Sequence, residues 1–318
     1  MNVQATIIEE VRAALRGMNG HLTAGLSMAD YLAIDALSSG ACKDMASMSP
    51  YAWLHRDRAC TQSMALGTLA HMAILEPDSF GSVVVQPDCD LRTNAGKAAL
   101  VEWLVSLVGE PLSITPPKAA TGTVLDLYLT ELRPRLDGAG LIVCTEDQRA
   151  LCLGMRDAVW GRPHTRALVE SDGAPEITGQ AKDEEYEVRV KVRPDKLLSG
   201  MPVIVSLKTC QSVSDRDYLR SAWTYGWHGS AWFYARALES ITGEPHRYWE
   251  IGIESAPPHD VMLLEYTQRE IEEGEAMMRR GLETDRRCMA SGIWPGAGYS
   301  WEDGEYTISQ IGRKDVAL

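Results

Sequence analysis

The sequence predicts an α/β protein in which a central mixed β-sheet is flanked by helices. A chain of 318 residues with 45% hydrophobic content is long and apolar enough to bury a large core. Apolar residues recur mainly at helical spacing in the first half of the chain, and from Glu176 they alternate at every second position. Because helical patterns return after and between these strand patterns, an α/β arrangement is favoured.

Helices are predicted where apolar residues recur every three to four positions and capping residues bound the run. They cover residues 4–17, 39–49, 63–75, 94–108, 123–132, 145–159, 214–221, 227–240 and 267–289. The helix at 63–75 is apolar on nearly all sides, so we expect it to be buried together with its one histidine, His71.

Strands are predicted where β-branched and other apolar residues alternate between turn signals. They cover residues 82–86, 174–180, 185–193, 203–208, 247–254 and 260–266. For domain organisation we expect an N-terminal helical segment at 1–25 and a single domain over 26–318. A loop-rich insertion is expected around 109–144, where glycine and proline interrupt the pattern.

Composition limits the location and the partners of the chain. It contains no run of about 18 apolar residues and no apolar N-terminal signal, so we expect no membrane partner. Its seven scattered cysteines are typical of a cytoplasmic protein with reduced thiols. The formal net charge of −13 argues against a protein that coats DNA without specificity, because such a surface is usually basic.

Charged residues occupy one face of the predicted strand that leads into Asp195. Val188, Val190 and Val192 are expected to face the core, and Arg189, Lys191 and Arg193 the opposite side. Taken alone, this pattern indicates a solvated strand face. Next to an acidic site, the same residues are candidates for contact with DNA phosphates, which gives a basic strip defined by Arg189, Lys191, Arg193 and Lys196.

The next strand places Ile204, Ser206 and Lys208 on a common face. A hairpin would bring Asp195 close to this face. Two-strand metal nucleases carry one acid at the end of the first strand, and a second acid two residues before a lysine on the next. The carboxylates hold Mg²⁺, which polarises the scissile phosphate, and the lysine orients the attacking water or neutralises developing charge. Here Ser206 occupies the place of the second acid.

Several ordered motifs resemble those of the RecE-like exonucleases, a phage and prophage branch of the PD-(D/E)XK nuclease superfamily. The resemblance covers about residues 26–310. In chain order the matching segments are Leu26-Ser27 through Tyr31, Ala36-Leu37-Ser38-Ser39-Gly40, Ser49-Pro50-Tyr51, Gly67-Thr68-Leu69-Ala70-His71, Leu75-Glu76-Pro77, Pro175-Glu176, Arg193-Pro194-Asp195, Val205-Ser206-Leu207-Lys208-Thr209, Tyr225-Gly226-Trp227-His228 through Ala231 and Tyr234, and Trp294-Pro295-Gly296.

The resemblance implies a PD-(D/E)XK core and an exodeoxyribonuclease that degrades one strand of linear double-stranded DNA in phage-type recombination. It implies Mg²⁺ as cofactor, with Mn²⁺ as a substitute. His71, Glu176 and Asp195 would bind the metal, while Lys208, Asp195, Glu176 and Tyr234 would form the catalytic set. DNA ends, a single-strand annealing protein of the RecT type and a homo-oligomer are the implied partners.

Two departures from the family pattern bear on activity. Ser206 replaces the acid of the acid-x-Lys motif, and Ser230 replaces a glutamine of the helix motif. Serine is a poor Mg²⁺ ligand compared with a carboxylate. Three nearby acids are candidates for compensation: Glu187, Asp215 and Asp217.

Alternatives therefore stay open. His71 can be a hydrogen-bonded core residue, Glu176 a surface acid, and Tyr234 a core aromatic. At the level of function, the chain can be a catalytically impaired nuclease-fold protein that binds DNA ends or a protein partner. A third interpretation, an α/β protein unrelated to nucleic acid, is supported only by the acidic charge.

Overall fold

The computed structural model describes residues 20–57, 61–109 and 122–307. The helices are α1 (Met28–Ala33), α2 (Ser39–Ser47), α3 (Pro50–His55), α4 (Gln62–Leu75), α5 (Pro77–Phe80), α6 (Asn94–Val108), α7 (Gly122–Gly138), α8 (Glu146–Trp160), α9 (Pro163–Glu170), α10 (Asp215–Tyr225), α11 (Trp227–Thr242) and α12 (Gln268–Ser291). The strands are β1 (Gly20–Thr23), β2 (Leu37–Ser38), β3 (Val84–Val85), β4 (Val143–Cys144), β5 (Gly173–Pro175), β6 (Thr178–Asp183), β7 (Val188–Val192), β8 (Lys196–Leu198), β9 (Val203–Cys210), β10 (Arg247–Glu254), β11 (Val261–Leu264), β12 (Tyr299–Ser300) and β13 (Glu305–Tyr306).

Two mixed sheets form the centre of the fold. The first has four strands in the order β1-β6-β7-β2, and the second has five in the order β11-β10-β9-β8-β5. In the second sheet β9 and β10 run parallel, while β8 is antiparallel to β9 and β11 is antiparallel to β10. The predicted α/β class with mixed β-structure and flanking helices is confirmed, although the described β-structure consists of these two sheets and two further pairs of strands, β3-β4 and β12-β13.

At one place, two segments of the chain cross side by side from one sheet to the other. β5 continues into β6 across Glu176, and β7 continues into β8 across Asp195. Glu176 has a positive φ of 51°, which bends the chain between its two strands. Its backbone N–H donates to the carbonyl of Asp195 at 3.3 Å. The bend therefore holds these two acidic residues next to each other.

Alternation along β9 separates two parts of the core. Val203, Val205 and Leu207 belong to a cluster with α4 and α8, whereas Ile204 belongs to a cluster with α11 and α12. Ser206 lies on the same face as Ile204 and is 3% exposed. A polar residue, Ser206, is thus enclosed between the sheet and its covering helices.

The predicted helices at 63–75, 94–108, 145–159, 227–240 and 267–289 match α4, α6, α8, α11 and α12 to within a few residues. The single strand predicted at 174–180 is wrong, because the bend at Glu176 divides it into β5 and β6. The strand predicted at 185–193 is shorter, since Glu184 and Tyr186 lie in a turn before β7. Residues 4–17 lie outside the described residues; of the segment 1–25, Gly20–Thr23 forms a strand and not a helix.

The segment around 109–144 contains a longer helix than the one expected at 123–132. α7 spans Gly122–Gly138 and packs on α6 in a separate apolar cluster that includes Leu100, Leu104 and Leu132. Residues 110–121 lie outside the described residues, and the division of the chain into domains stays a prediction.

The late Trp-Pro-Gly motif packs against the early Ser-Pro-Tyr motif. The Trp294 ring stacks on Trp53 of α3 at a centroid distance of 5.5 Å, and the Tyr51 N–H donates to the Pro295 carbonyl at 3.0 Å. These contacts therefore join α3 to the segment that follows α12. Among its described residues, no helix is both long and apolar enough to cross a bilayer.

Candidate metal centre

Asp195 is the central residue of the candidate site. It follows Pro194 and lies directly before β8, in the short link between β7 and β8. Its Oδ2 accepts the backbone N–H of Leu207 at 2.7 Å and the Ser206 hydroxyl at 2.9 Å. Burial disfavours the charged carboxylate, but His71, Lys208 and these hydrogen bonds outweigh burial and lower the pKa of Asp195. The side chain is therefore an anion at neutral pH.

His71 reaches the same carboxylate from α4. Its Nδ1 lies 3.1 Å from Asp195 Oδ1, and its side chain is 24% exposed. Burial opposes a charged ring, but the negative charge of Asp195 and the hydrogen bond to it outweigh burial and raise the pKa of His71. His71 is thus paired with an acidic side chain. A histidine that served only to fill the core would not need such a partner.

Glu176 completes a group of three potential ligands. One ligand atom each from His71, Glu176 and Asp195 lies within 4.8 Å of the other two. Burial and the charge of Asp195 raise the pKa of Glu176, while Arg193 opposes this shift through an ion pair at 2.6 Å. Two acids held this close repel each other, which favours the binding of a cation between them.

Ser206 and Lys208 lie beside this group. The Lys208 ammonium donates to Ser206 Oγ at 2.8 Å, and Ser206 Oγ donates in turn to Asp195 at 2.9 Å. A short chain of hydrogen bonds therefore connects the lysine to the aspartate through the residue that occupies the acid position.

A cleft of about 250 Å³ opens over Asp195, Ser206 and Lys208. Its lining includes Lys43, Arg193, Asp195, Ser206, Lys208 and Tyr234. The Lys43 ammonium donates to the Tyr225 carbonyl at 2.8 Å. Burial and the nearby charge of Lys208 lower the pKa of Lys43 to about 8. The motifs did not identify Lys43, because its contact with the site depends on packing between α2 and distant strands.

Tyr234 supports the bend from α11. Its hydroxyl donates to the carbonyl of Arg193 at 3.2 Å, directly before Pro194 and Asp195. Ser230, one helical turn earlier, accepts the Ser39 hydroxyl at 2.8 Å. Position 230 thus joins α11 to the start of α2.

The expectation of an open basic strip is wrong for two of its four residues. Lys191 and Lys196 are buried, with only 6% and 7% exposure. Lys191 donates to the carbonyls of Tyr31, Leu32 and Ile34 at the end of α1, and Lys196 donates to the carbonyl of Val169 in the last turn of α9.

The other two residues of the strip have intramolecular partners as well. Arg189 pairs with Asp35 on the surface, and Arg193 pairs with Glu176 inside the site. Of the four, Arg193 alone lines the cleft beside Asp195. The physical reason is that helix ends from distant parts of the chain supply acceptors to β7 and β8, which alternation within one strand cannot reveal.

The three acids named as substitutes for the missing carboxylate do not join the group of three ligands. Glu187 pairs with Lys182 on the surface at 3.2 Å, and Asp217 accepts the Ser214 hydroxyl at the start of α10. Asp215 lies in the same first turn of that helix. Glu250 on β10, which the motifs did not identify, is instead the acid paired in register with Ser206.

One imidazole and two carboxylates suit a divalent cation. Mg²⁺ prefers oxygen ligands with near-octahedral geometry, and Mn²⁺ accepts carboxylate and imidazole together. A larger cleft of about 450 Å³ lies between β6 and α11, but its Arg236 is paired with Asp183 at 2.6 Å. The smaller cleft therefore has the better ligand chemistry.

Comparison with known proteins agrees with this fold. Residues 153–304 match the family model described as a PDDEXK-like domain of unknown function (DUF3799). This segment includes Glu176, Asp195, Ser206, Lys208 and Tyr234, but not His71. A search of curated proteins finds no match.

Two solved structures are similar. One, an inferred exonuclease from Eubacterium rectale, is 12% identical with a TM-score of 0.54, and the alignment covers 92% of this chain and 98% of that one. The other, a phage-related exonuclease from Haemophilus somnus 129PT, is 8% identical with a TM-score of 0.27, over 68% and 94% of the two chains. The first shows a shared fold at full length. Together with the match of residues 153–304 to a PDDEXK-like domain, it supports the PD-(D/E)XK-type nuclease fold that the order of motifs predicts.

Proposed function

We propose that the chain is a Mg²⁺-dependent exodeoxyribonuclease that degrades one strand of linear double-stranded DNA. The observation that carries the proposal is the approach of ligand atoms of His71, Glu176 and Asp195 to within 4.8 Å of one another, next to a cleft that Asp195 lines together with Lys208. The three ligands come from α4 and from the two links that join the sheets, β5 to β6 and β7 to β8. A chance cluster of surface acids would not be assembled from three such separate elements.

The side chains divide the work of such a reaction. Asp195, Glu176 and His71 would hold Mg²⁺, which on binding polarises a phosphate and lowers the pKa of water. Lys208 supplies positive charge inside the cleft, where it neutralises charge that develops on a phosphate. Tyr234 fixes the backbone before Asp195, and Arg193 orients Glu176.

A nuclease assay tests the proposal. Linear duplex labelled at each end is incubated with protein and Mg²⁺, and closed circular duplex of the same sequence serves as control. We expect nucleotides to be released from the linear DNA only, and no release in the presence of a chelator. Equal cutting of both DNAs would contradict an exonuclease. No cutting by either the natural chain or the Ser206→Asp variant would contradict a nuclease.

A second candidate is a catalytically impaired nuclease-fold protein that binds DNA ends or a protein partner. The neutral Ser206, bonded to both Asp195 and Lys208, favours it, because one carboxylate of the usual set is absent there. It predicts binding of duplex ends without nucleotide release. Release of nucleotides by the unmodified chain would exclude it.

The remaining proposals on partners rest on the resemblance to the RecE-like family. We propose double-stranded DNA ends as substrate, a RecT-type annealing protein as the recipient of the single strand, and a homo-oligomer as the working form. Pull-down with an annealing protein and light scattering of the purified chain would test the last two.

A further inference from the structure

Glu250 lies next to the position that lacks an acid. β9 and β10 are parallel, and their register pairs Ser206 directly with Glu250. Paired residues of adjacent strands project from the same face of a sheet. The glutamate is therefore a neighbour of Ser206 on the face that carries the candidate site.

The carboxylate of Glu250 is fully buried, with 0% exposure. Its Oε1 accepts the hydroxyls of Tyr218 and Tyr266 at 2.6 and 2.7 Å. Its Oε2 has no hydrogen-bond partner among the residues that the structure describes. A buried carboxylate oxygen without a partner is costly, and in native proteins such an atom commonly marks an ion or a water.

The charges around Glu250 belong to the candidate site. Lys208 attracts its carboxylate and Asp195 repels it, so both act on it electrostatically. Lys43, which lines the same cleft, also senses the charge of Glu250. The two tyrosines hold one carboxylate oxygen and leave the other available.

We propose that Glu250 supplies the carboxylate that position 206 lacks and so acts as a second-strand acid of the divalent-cation site. This inference rests on the proposed function. The acid is displaced from β9 to the paired position of β10. The surface acids Glu187, Asp215 and Asp217 are then not needed for this role.

Calorimetric titration of the full chain with Mn²⁺, without DNA, tests whether Glu250 replaces the missing acid at position 206. Glu250→Gln keeps the size of the side chain and an acceptor for the two tyrosines, but removes the charge. We expect its Mn²⁺ affinity to fall at least about tenfold, the range seen when groups that support metal ligands are lost. Glu254→Gln, on the same strand, is the matched control and should bind as the natural chain does.

The reciprocal variant separates a charge effect from a structural one. With Ser206→Asp present, the site has its acid on β9, so adding Glu250→Gln should change Mn²⁺ affinity less than about threefold. A purely structural role of Glu250 would give the same loss in both backgrounds. Should Glu250→Gln fail to fold, Glu250→Asp in the two backgrounds gives the same comparison, with the charge kept and the reach shortened.

Three results would overturn the inference. Affinity of Glu250→Gln within twofold of the natural chain, while Asp195→Asn is impaired, would remove Glu250 from the site and leave the proposed function standing. An equal loss with and without Ser206→Asp would assign it a structural role. No Mn²⁺ binding by the natural chain would remove the proposed function and the inference together.

Discussion

At the scale of single residues, Asp195 organises the candidate site. It combines a backbone N–H, a hydroxyl, an imidazole and a nearby ammonium around one carboxylate. Such a set stabilises the anion without neutralising it by a direct ion pair to lysine or arginine. The carboxylate is therefore kept charged. A bound cation could take the place of the proton that His71 shares with it, because metal binding releases protons from ligands.

Replacement of Asp195 by asparagine tests this role. Asparagine keeps the shape but removes the charge, so we expect nuclease activity to fall at least about 100-fold, equivalent to about 2.7 kcal/mol of transition-state stabilisation. The measurement is nucleotide release from linear duplex. Asp217→Asn at the start of α10 is the control; equal rates for the two variants would show that Asp195 is not catalytic.

The pairing of His71 with Asp195 predicts a pH dependence of stability in the metal-free chain. The folded-state pKa of His71 is raised above its unfolded value of about 6.5. Its contribution to stability is therefore fully present below about pH 6.5 and is lost as pH rises through the folded pKa. The pKa of Asp195 is lowered, so that group stays charged throughout this window.

Thermal unfolding of the natural chain and His71→Gln, in a chelator, measures this effect. We expect the natural chain to be the more stable at pH 6, and its advantage to shrink at pH 9. An advantage that grows with pH would show that the imidazole is neutral in the folded state.

Much of this chemistry could be predicted from sequence, but not all of it. Asp195 and Lys208 could be predicted because the proline-aspartate pair and the lysine two residues after the expected acid position are local signals. Glu250 gave only a weak signal, one acid inside an apolar strand, since its position beside Ser206 depends on the register of β9 against β10. Lys43 gave none.

At the scale of elements, local signals determined helix ends better than strand ends. Thr93 caps α6 and Gly109 follows it, which is why its bounds were predicted correctly. The division between β5 and β6 depends on a positive φ at Glu176, and a glutamate gives no local indication of that conformation. This bend is nevertheless what turns the acid toward Asp195.

Two buried lysines, Lys191 and Lys196, stabilise helix ends, and we therefore expect neither to contact DNA. Lys191 serves three carbonyls at the end of α1, where helices leave acceptors unsatisfied. We expect Lys191→Met to lower the free energy of unfolding by roughly 1–3 kcal/mol, because the carbonyls lose their donor. Denaturant titration measures this loss.

The matched control is Lys182→Met on the neighbouring strand, whose lysine is about half exposed and should cost little. DNA affinity of folded Lys191→Met should equal that of the natural chain. A stable variant with weakened DNA binding would restore Lys191 to the DNA-facing surface.

At the scale of the whole molecule, a net charge of −13 opposes DNA, whereas the cleft concentrates Lys43, Arg193 and Lys208 beside the acids. Long-range repulsion and local attraction therefore act against each other. On this account a divalent cation is needed for binding as well as for chemistry, because it reverses the charge between Glu176 and Asp195.

Fluorescence anisotropy with labelled duplex DNA tests whether a divalent cation is needed to overcome the repulsion between the acidic protein and DNA. Ca²⁺ is chosen because it occupies oxygen-ligand sites, and we expect DNA affinity to rise at least about tenfold over that in a chelator. The rise should be smaller for Asp195→Asn. An equal rise for both proteins would mean that Ca²⁺ acts only by screening the acidic surface.

The most direct test of the metal centre is anomalous diffraction from crystals of the natural chain soaked in Mn²⁺. If these residues form a metal centre, we expect an anomalous peak within about 2.5 Å of ligand atoms of Asp195 and Glu176, with His71 adjacent. A well-soaked crystal with no peak between these three residues, or with its peak elsewhere, would contradict it.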